Sequence, residues 1–233
     1  MSVPEVRAFP TAQEAMAACA EAVADALARA ARPQFVLAGG ETPRGVYRLL
    51  AAGLGLDRVP WAEVGFWFGD ERCVGPDHPK SNYRLARTTL FEPLGIPATH
   101  VHRMLGELGP EEGAKRYRER LLGELGPAPR FAVALCGVGP EGHTLSLFPG
   151  SPGLDAADMA VATLVPTPPT HRISLTPQAI AGSEAVFFLA TGQAKRDALR
   201  GAVAVPERDP RHPTSYLRGQ SATVIFCDAE ASP

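Results

Sequence analysis

Residues 34–52, QFVLAGGETPRGVYRLLAA, decide the fold. The run from Gln34 to Ala38 is short and apolar and stops at Gly39-Gly40, the pattern of a buried strand that ends in a tight turn. Thr42 followed by Pro43 then marks a helix start. A threonine hydroxyl can cap free amides, and proline already has the backbone angle of a first helical turn. VYRLLAA continues that helix, so the unit is strand, glycine turn, helix.

The same change of period recurs on both sides of this unit. Residues 12–31, with Met16, Val23 and Leu27 at helical spacing, predict an amphipathic helix. Val64 to Gly69 predicts a strand that ends in Asp70-Glu71-Arg72, and Ser81 is placed to cap a helix through NYRLARTTLFEPL. A strand over His100 to Met104 and a charged helix over Glu111 to Leu125 follow. Phe131 to Cys136 is the clearest buried strand, and it opens into GVGPEGHTLSLFPG, residues 137–150. Beyond a Pro-rich bend at 166–169, Arg172 to Leu175 reads as a strand and Thr176-Pro177 as the start of a short helix. Ala185 to Ala190 is a further strand, Gly192 leads into the helix AKRDALRGAV, and Ala222 to Cys227 is the last strand.

Strands alternating with helices imply an α/β fold with a mostly parallel sheet and helices on both faces. Such sheets bind ligands beyond the carboxyl ends of their strands. The polar segments GGETP, GDER, GVGPEGH and TGQAK all follow predicted strands, which would bring four loops to one sheet edge. No repeat or long linker interrupts the 233 residues, so residues 1–233 read as one domain.

Composition narrows the function classes. With 23 basic and 25 acidic residues the formal charge is -2, which gives no broad attraction to nucleic acid or an anionic membrane. Any anion must therefore be held locally. The four cysteines are widely spaced, with no CxxC pair, so reduced thiols in a cytoplasm are expected rather than disulfides or zinc. The N-terminus lacks the basic-then-apolar order of a signal peptide, and no apolar run approaches the roughly 20 residues a membrane span needs.

Several residues in the loops invite chemistry, each with a plain structural alternative. Gly39, Gly40 and Thr42 either let backbone amides approach a phosphate at a helix start or form an ordinary turn. Lys195, one of only three lysines, lies in the first turn of a helix where a cation opposes the dipole; it is either a functional ammonium or a solvated surface residue. Arg172 pairs with a carboxylate of the fold or with a substrate phosphate. Asp70 and Glu71 suit a pocket rim or an internal polar network, and Arg72 is the better ligand contact of that triplet. His143 is the sharpest candidate. An imidazole in such a loop can titrate near neutrality, Glu141 is close enough in sequence to orient it, and the flanking GVGP and SLFPG favour a catalytic role. Of the other histidines only His100 and His102 approach a metal spacing, and a surface pair is the expectation there; no metal or cofactor is expected.

The set LAGGETPRGVYRLL, FGDERCVGPDHPKSNYRLARTTL, LCGVGPEGHTLSLFPG and RISLTPQAI, followed by GQAKRDAL, resembles the 6-phosphogluconolactonases over about residues 10–228. These belong to a superfamily with a Rossmann-like α/β fold that also holds glucosamine-6-phosphate deaminases. Deaminases usually carry Asp-Glu-Tyr where this chain has Asp70-Glu71-Arg72, and Phe-Asn-Glu-Pro where it has Ser146 to Pro149; both differences point to the lactonase. The family usually has Asp-Gly-His where this chain has Glu141-Gly142-His143, a change that keeps the carboxylate but lengthens its reach.

The resemblance implies hydrolysis of 6-phospho-D-glucono-1,5-lactone in the oxidative pentose phosphate pathway of the cytoplasm. His143 would be the general base, supported by Glu141, with Arg72 or loop amides at the oxyanion. Gly39, Gly40, Thr42, Asp70, Arg172 and Lys195 would form the substrate and phosphate site. A sugar-phosphate lactone is the expected partner of a monomer or small homo-oligomer. An amino-sugar phosphate deaminase, a non-catalytic sugar-phosphate sensor and a purely structural reading of the four loops are the alternatives.

Overall fold

In the computed structural model, residues 3–55, 57–205 and 207–233 are described. The chain runs β1 (Glu5–Phe9), α1 (Ala12–Arg29), β2 (Gln34–Leu37), α2 (Glu41–Ala51), β3 (Gly65–Phe68), β4 (Asp70–Arg72), α3 (Asn82–Ala86), α4 (Glu92–Leu94) and β5 (Val101–His102). It continues through α5 (Pro110–Leu125), β6 (Val133–Gly137), β7 (Ala160–Leu164), β8 (His171–Leu175), α6 (Pro177–Ile180), β9 (Ala185–Ala190), α7 (Arg196–Ala204) and β10 (Ala222–Asp228).

Seven strands form one sheet in the order β1-β10-β9-β6-β2-β3-β5, and every neighbouring pair is parallel. From β2 the chain moves outward through β3 to β5. It then returns to the other side of β2 at β6 and moves outward again through β9 and β10. Connections after β2 and β6 thus diverge, and a crevice opens between them at the carboxyl end of the sheet.

Local sequence explains which face each helix covers. Side chains alternate along β3: Trp67 meets Tyr117 of α5 and Phe131 on one face, while Phe66 and Phe68 meet Phe91 on the other. Phe35 of β2 packs against Tyr47 of α2 on that second face. Helices therefore bury both surfaces, which is why β2, β3, β6 and β9 read as continuous apolar runs. Strand β5 pairs with only two residues of β3, and the hydroxyl of Tyr117 completes the edge: it accepts from Phe68 N at 2.7 Å and donates to Phe68 O at 3.1 Å. Helix α1 begins with a capping box in which the Thr11 hydroxyl accepts from Glu14 N and the Glu14 carboxylate accepts from Thr11 N.

The structure differs from sequence expectation in definable ways. Arg172 to Leu175 is a strand, but it lies outside the parallel sheet: β4, β8 and β7 make a separate three-stranded antiparallel sheet. Asp70-Glu71-Arg72, expected as a loop, is the first of those strands. Strands β1 and β7 were not foreseen, because exposed Glu5, Val6 and Arg7 and partly exposed Val161 and Thr163 carry no buried-strand pattern. Thr42 does not cap α2. Gly40, at φ 105°, holds the cap position, and the Thr42 hydroxyl faces that of Thr191 at 3.3 Å. The helix from Asn82 to Leu94 contains a π turn over Arg87–Phe91. The expected strand at His100 to Met104 shrinks to Val101–His102. His102 is not a surface residue: it is buried and stacked on Trp67 at 4.0 Å, and burial lowers its pKa to about 4.

Candidate active site

Gly39, Gly40, Thr42, Asp70, Arg72, His143, Arg172 and Lys195 all line one cavity of about 290 Å³ at the carboxyl end of the sheet. Its walls come from the turns after β2, β6 and β9, from β4 and β8, and from Thr167 in the β7–β8 connection. Glu141 stands outside the cavity wall, behind His143.

The 137–150 loop is built to present its histidine. Gly139 N donates to His143 O at 2.8 Å and Gly142 N donates to Gly139 O at 3.0 Å, which folds GPEGH into a closed turn. Within it Glu141 Oε2 lies 3.1 Å from His143 Nδ1, a close ion-pair contact that is not aligned as a hydrogen bond. The imidazole ring stacks on Phe148, with ring centroids 4.3 Å apart and planes 17° from parallel. Burial lowers the pKa of His143, and the Glu141 carboxylate partly opposes that shift. Leu145 takes a left-handed φ of 56°, an uncommon conformation for a branched side chain.

Asp70 is buried and fully engaged: Asn82 Nδ2 donates to Oδ1 at 3.0 Å and Ser146 Oγ to Oδ2 at 2.6 Å. This ties the His143 loop to the start of β4. Glu71 faces away from the cavity and accepts from Arg72 N, Ser81 Oγ, Asn82 N and Tyr83 N, so it is the internal network that the sequence left open. Burial raises its pKa against those hydrogen bonds. Ser81 caps α3 as expected, its hydroxyl accepting from Arg84 N.

The cations are distributed differently from what pairing with carboxylates would produce. Arg172 donates to Pro169 O at 2.6 Å and Thr167 O at 3.3 Å, and Arg72 donates to Lys80 O. The two arginines are direct cross-strand partners between β4 and β8. Arg72 Nε is buried with no hydrogen-bond partner among the described residues. Burial lowers the pKa of both Arg172 and Lys195. Among the described residues none of Arg72, Arg172 and Lys195 forms a salt bridge, although the rest of the molecule is rich in them. A hollow of about 620 Å³ beside α5 and the π turn is larger, but its Arg87, Arg103, Arg116 and Arg120 are each already neutralised by a carboxylate. Among the described residues no three His, Cys, Asp or Glu side chains form a metal-holding group, and no helix is long and apolar enough to cross a membrane.

Sequence reasoning missed Ser146, Phe148 and Thr167 as parts of this cavity. Ser146 and Phe148 lay inside a motif already singled out, but their roles depend on a loop conformation that spacing does not encode. Thr167 had no signal beyond its Pro-rich bend.

Residues 8–226 match the family model described as glucosamine-6-phosphate isomerases/6-phosphogluconolactonase. A 6-phosphogluconolactonase of Haemophilus influenzae is 32% identical over 214 residues, which is 91% of each chain. Among solved structures, a 6-phosphogluconolactonase from Trypanosoma cruzi superposes with a TM-score of 0.84 at 27% identity, covering 99% of this chain and 97% of the other. A monomeric glucosamine-6-phosphate deaminase shares the fold with a TM-score of 0.83 at 21% identity, covering 97% and 98%. With nearly the whole sheet and every wall of the cavity inside the matched span, the chain belongs to the glucosamine-6-phosphate isomerase/6-phosphogluconolactonase family.

Proposed function

We propose that this chain is a 6-phosphogluconolactonase, hydrolysing 6-phospho-D-glucono-1,5-lactone to 6-phosphogluconate in the oxidative pentose phosphate pathway of the cytoplasm. The observation that carries the reading is the company His143 keeps. One cavity joins a half-buried imidazole, backed by a carboxylate at Nδ1, to three cations that form no salt bridge among the described residues. Phosphate and a developing oxyanion are the two negative charges that this reaction presents. Relatives named 6-phosphogluconolactonase that align over most of the chain support the same substrate.

With Glu141 at Nδ1, the Nε2 lone pair of neutral His143 accepts a proton from water as the water oxygen attacks the lactone carbonyl. Arg72, whose side chain lines the cavity and forms no salt bridge among the described residues, stabilises the tetrahedral oxyanion. Collapse breaks the bond from the carbonyl carbon to the ring oxygen, which takes the proton back from His143. The amides of Gly39 and Gly40 at the start of α2, the Thr42 hydroxyl, Arg172 and Lys195 seat the phosphate dianion and so hold the reacting carbon in place. Asp70 acts by fixing Ser146 and the loop rather than by binding phosphate with its own charge.

The test is turnover of freshly generated lactone, corrected for spontaneous hydrolysis. His143→Ala is expected to lower kcat by about 10² to 10⁴ with little change in KM. Full activity in that variant would overturn the mechanism, and no acceleration by the unaltered protein would overturn the function.

A further inference from the structure

Asp228, the last residue of β10, is a buried carboxylate outside the cavity with no cationic partner among the described residues. Both of its oxygens accept from Gly192 N, each at 3.0 Å, and Oδ1 also accepts from Ala231 N at 2.9 Å. Burying a charge without a counter-ion is costly unless hydrogen bonds compensate, so its two backbone donors are what hold it there. One of those donors, Gly192, sits at φ 86° and opens the turn Gln193–Lys195, in which Lys195 N donates to Gly192 O at 3.0 Å.

The residues after β10 grip the same turn from its other end. Arg196, the first residue of α7, donates through Nε to Glu230 O at 2.9 Å and through a terminal nitrogen to Ala229 O at 3.1 Å. Lys195 is thus bracketed, with Gly192 held by Asp228 before it and Arg196 held by the 229–230 carbonyls after it. One residue upstream of Gly192, the hydroxyl of Thr191 meets that of Thr42 at the start of α2.

We infer that Asp228 is a positioning residue for substrate binding: with the segment that follows β10, it clasps the 192–196 turn and sets the place of the Lys195 ammonium in the cavity. This role rests on the reading of Lys195 as part of the phosphate seat. Asp228 touches neither substrate nor reacting atoms and acts through Gly192.

A double-mutant cycle on the intact chain tests it, with KM and kcat for phosphogluconolactone measured for Asp228→Ala, Lys195→Ala and the combined variant. Asp228→Ala should raise KM on the order of ten-fold while kcat stays within about three-fold. The combined variant should have a KM no higher than Lys195→Ala alone, because a clasp with no ammonium to place has nothing left to do. Additive effects, or an Asp228→Ala loss confined to kcat or thermal stability, would overturn the clasp as a positioning device. An unchanged KM in Lys195→Ala would instead overturn the phosphate-seat reading, and the clasp's role with it. If Asp228→Ala does not fold, Arg196→Ala, which releases the other end of the same turn, carries the cycle with the same outcomes.

Discussion

At the scale of the residue, His143 lies between opposing influences. Burial, to which the stacked Phe148 ring contributes, disfavours the imidazolium; the Glu141 carboxylate favours it. The net shift is downward from the ordinary imidazole value of 6.5. A base must be neutral to accept a proton, so a lowered pKa keeps it competent into more acidic solution, and the acid limb of kcat/KM should fall below pH 6.5. Replacing Glu141 with Gln removes the influence that raises the pKa. The limb should then move to still lower pH, and the plateau rate should fall because the conjugate acid formed during attack loses its stabilising partner. A pH–rate profile of both proteins checks this, and a limb that moved upward in Glu141→Gln would contradict the assignment.

At the scale of the element, the 137–150 loop depends on one close approach. A Cβ at Gly139 would lie 2.1 Å from His143 Nδ1 and 2.5 Å from Glu141 Oε2, so Gly139→Ala must displace the pair itself. The expected outcome is a loss of kcat of about ten- to a hundred-fold with the far-ultraviolet circular dichroism of the fold retained. What could be read from sequence follows the same logic of local signals. β2, β3, β6 and β9 announced themselves because both faces are covered and nearly every residue is apolar. Ser81 was recognised as a cap because the hydroxyl and the free amides are three residues apart. The small antiparallel sheet was hidden because Asp70-Glu71-Arg72 forms a strand only through long-range pairing with β8, and three polar residues after a glycine look like a loop. Thr42 misled as a cap because Gly40, free to adopt positive φ, starts the helix earlier. Apart from Arg172, which lies within β8, the candidate cavity residues were legible because each comes soon after a strand of the parallel sheet. Asp228 was not singled out: its partners lie at Gly192 and Ala231, and only the packing of β10 beside β9 brings the first of these within reach.

At the scale of the whole molecule, the reversal of strand order between β2 and β6 places the crevice, and the antiparallel sheet closes one side of it. That second sheet sets Arg72 directly across from Arg172, two like charges on facing positions, an arrangement that costs stability in any antiparallel pair. The site is therefore one of the places where this fold gives up cohesion for function. Its thermodynamic counterpart is that an anionic product works as a folding ligand, since it relieves a repulsion written into the native state. Linkage puts the gain at about 2.7 kcal/mol when 6-phosphogluconate stands at about 100 times its Kd. For a chain of this size that corresponds to a rise in Tm of roughly 5–10 °C. A thermal melt with 6-phosphogluconate, set beside one with gluconate at equal ionic strength, reads the effect, and equal melting temperatures would refute it. Heat tolerance of this protein would then depend on how much of its own product surrounds it.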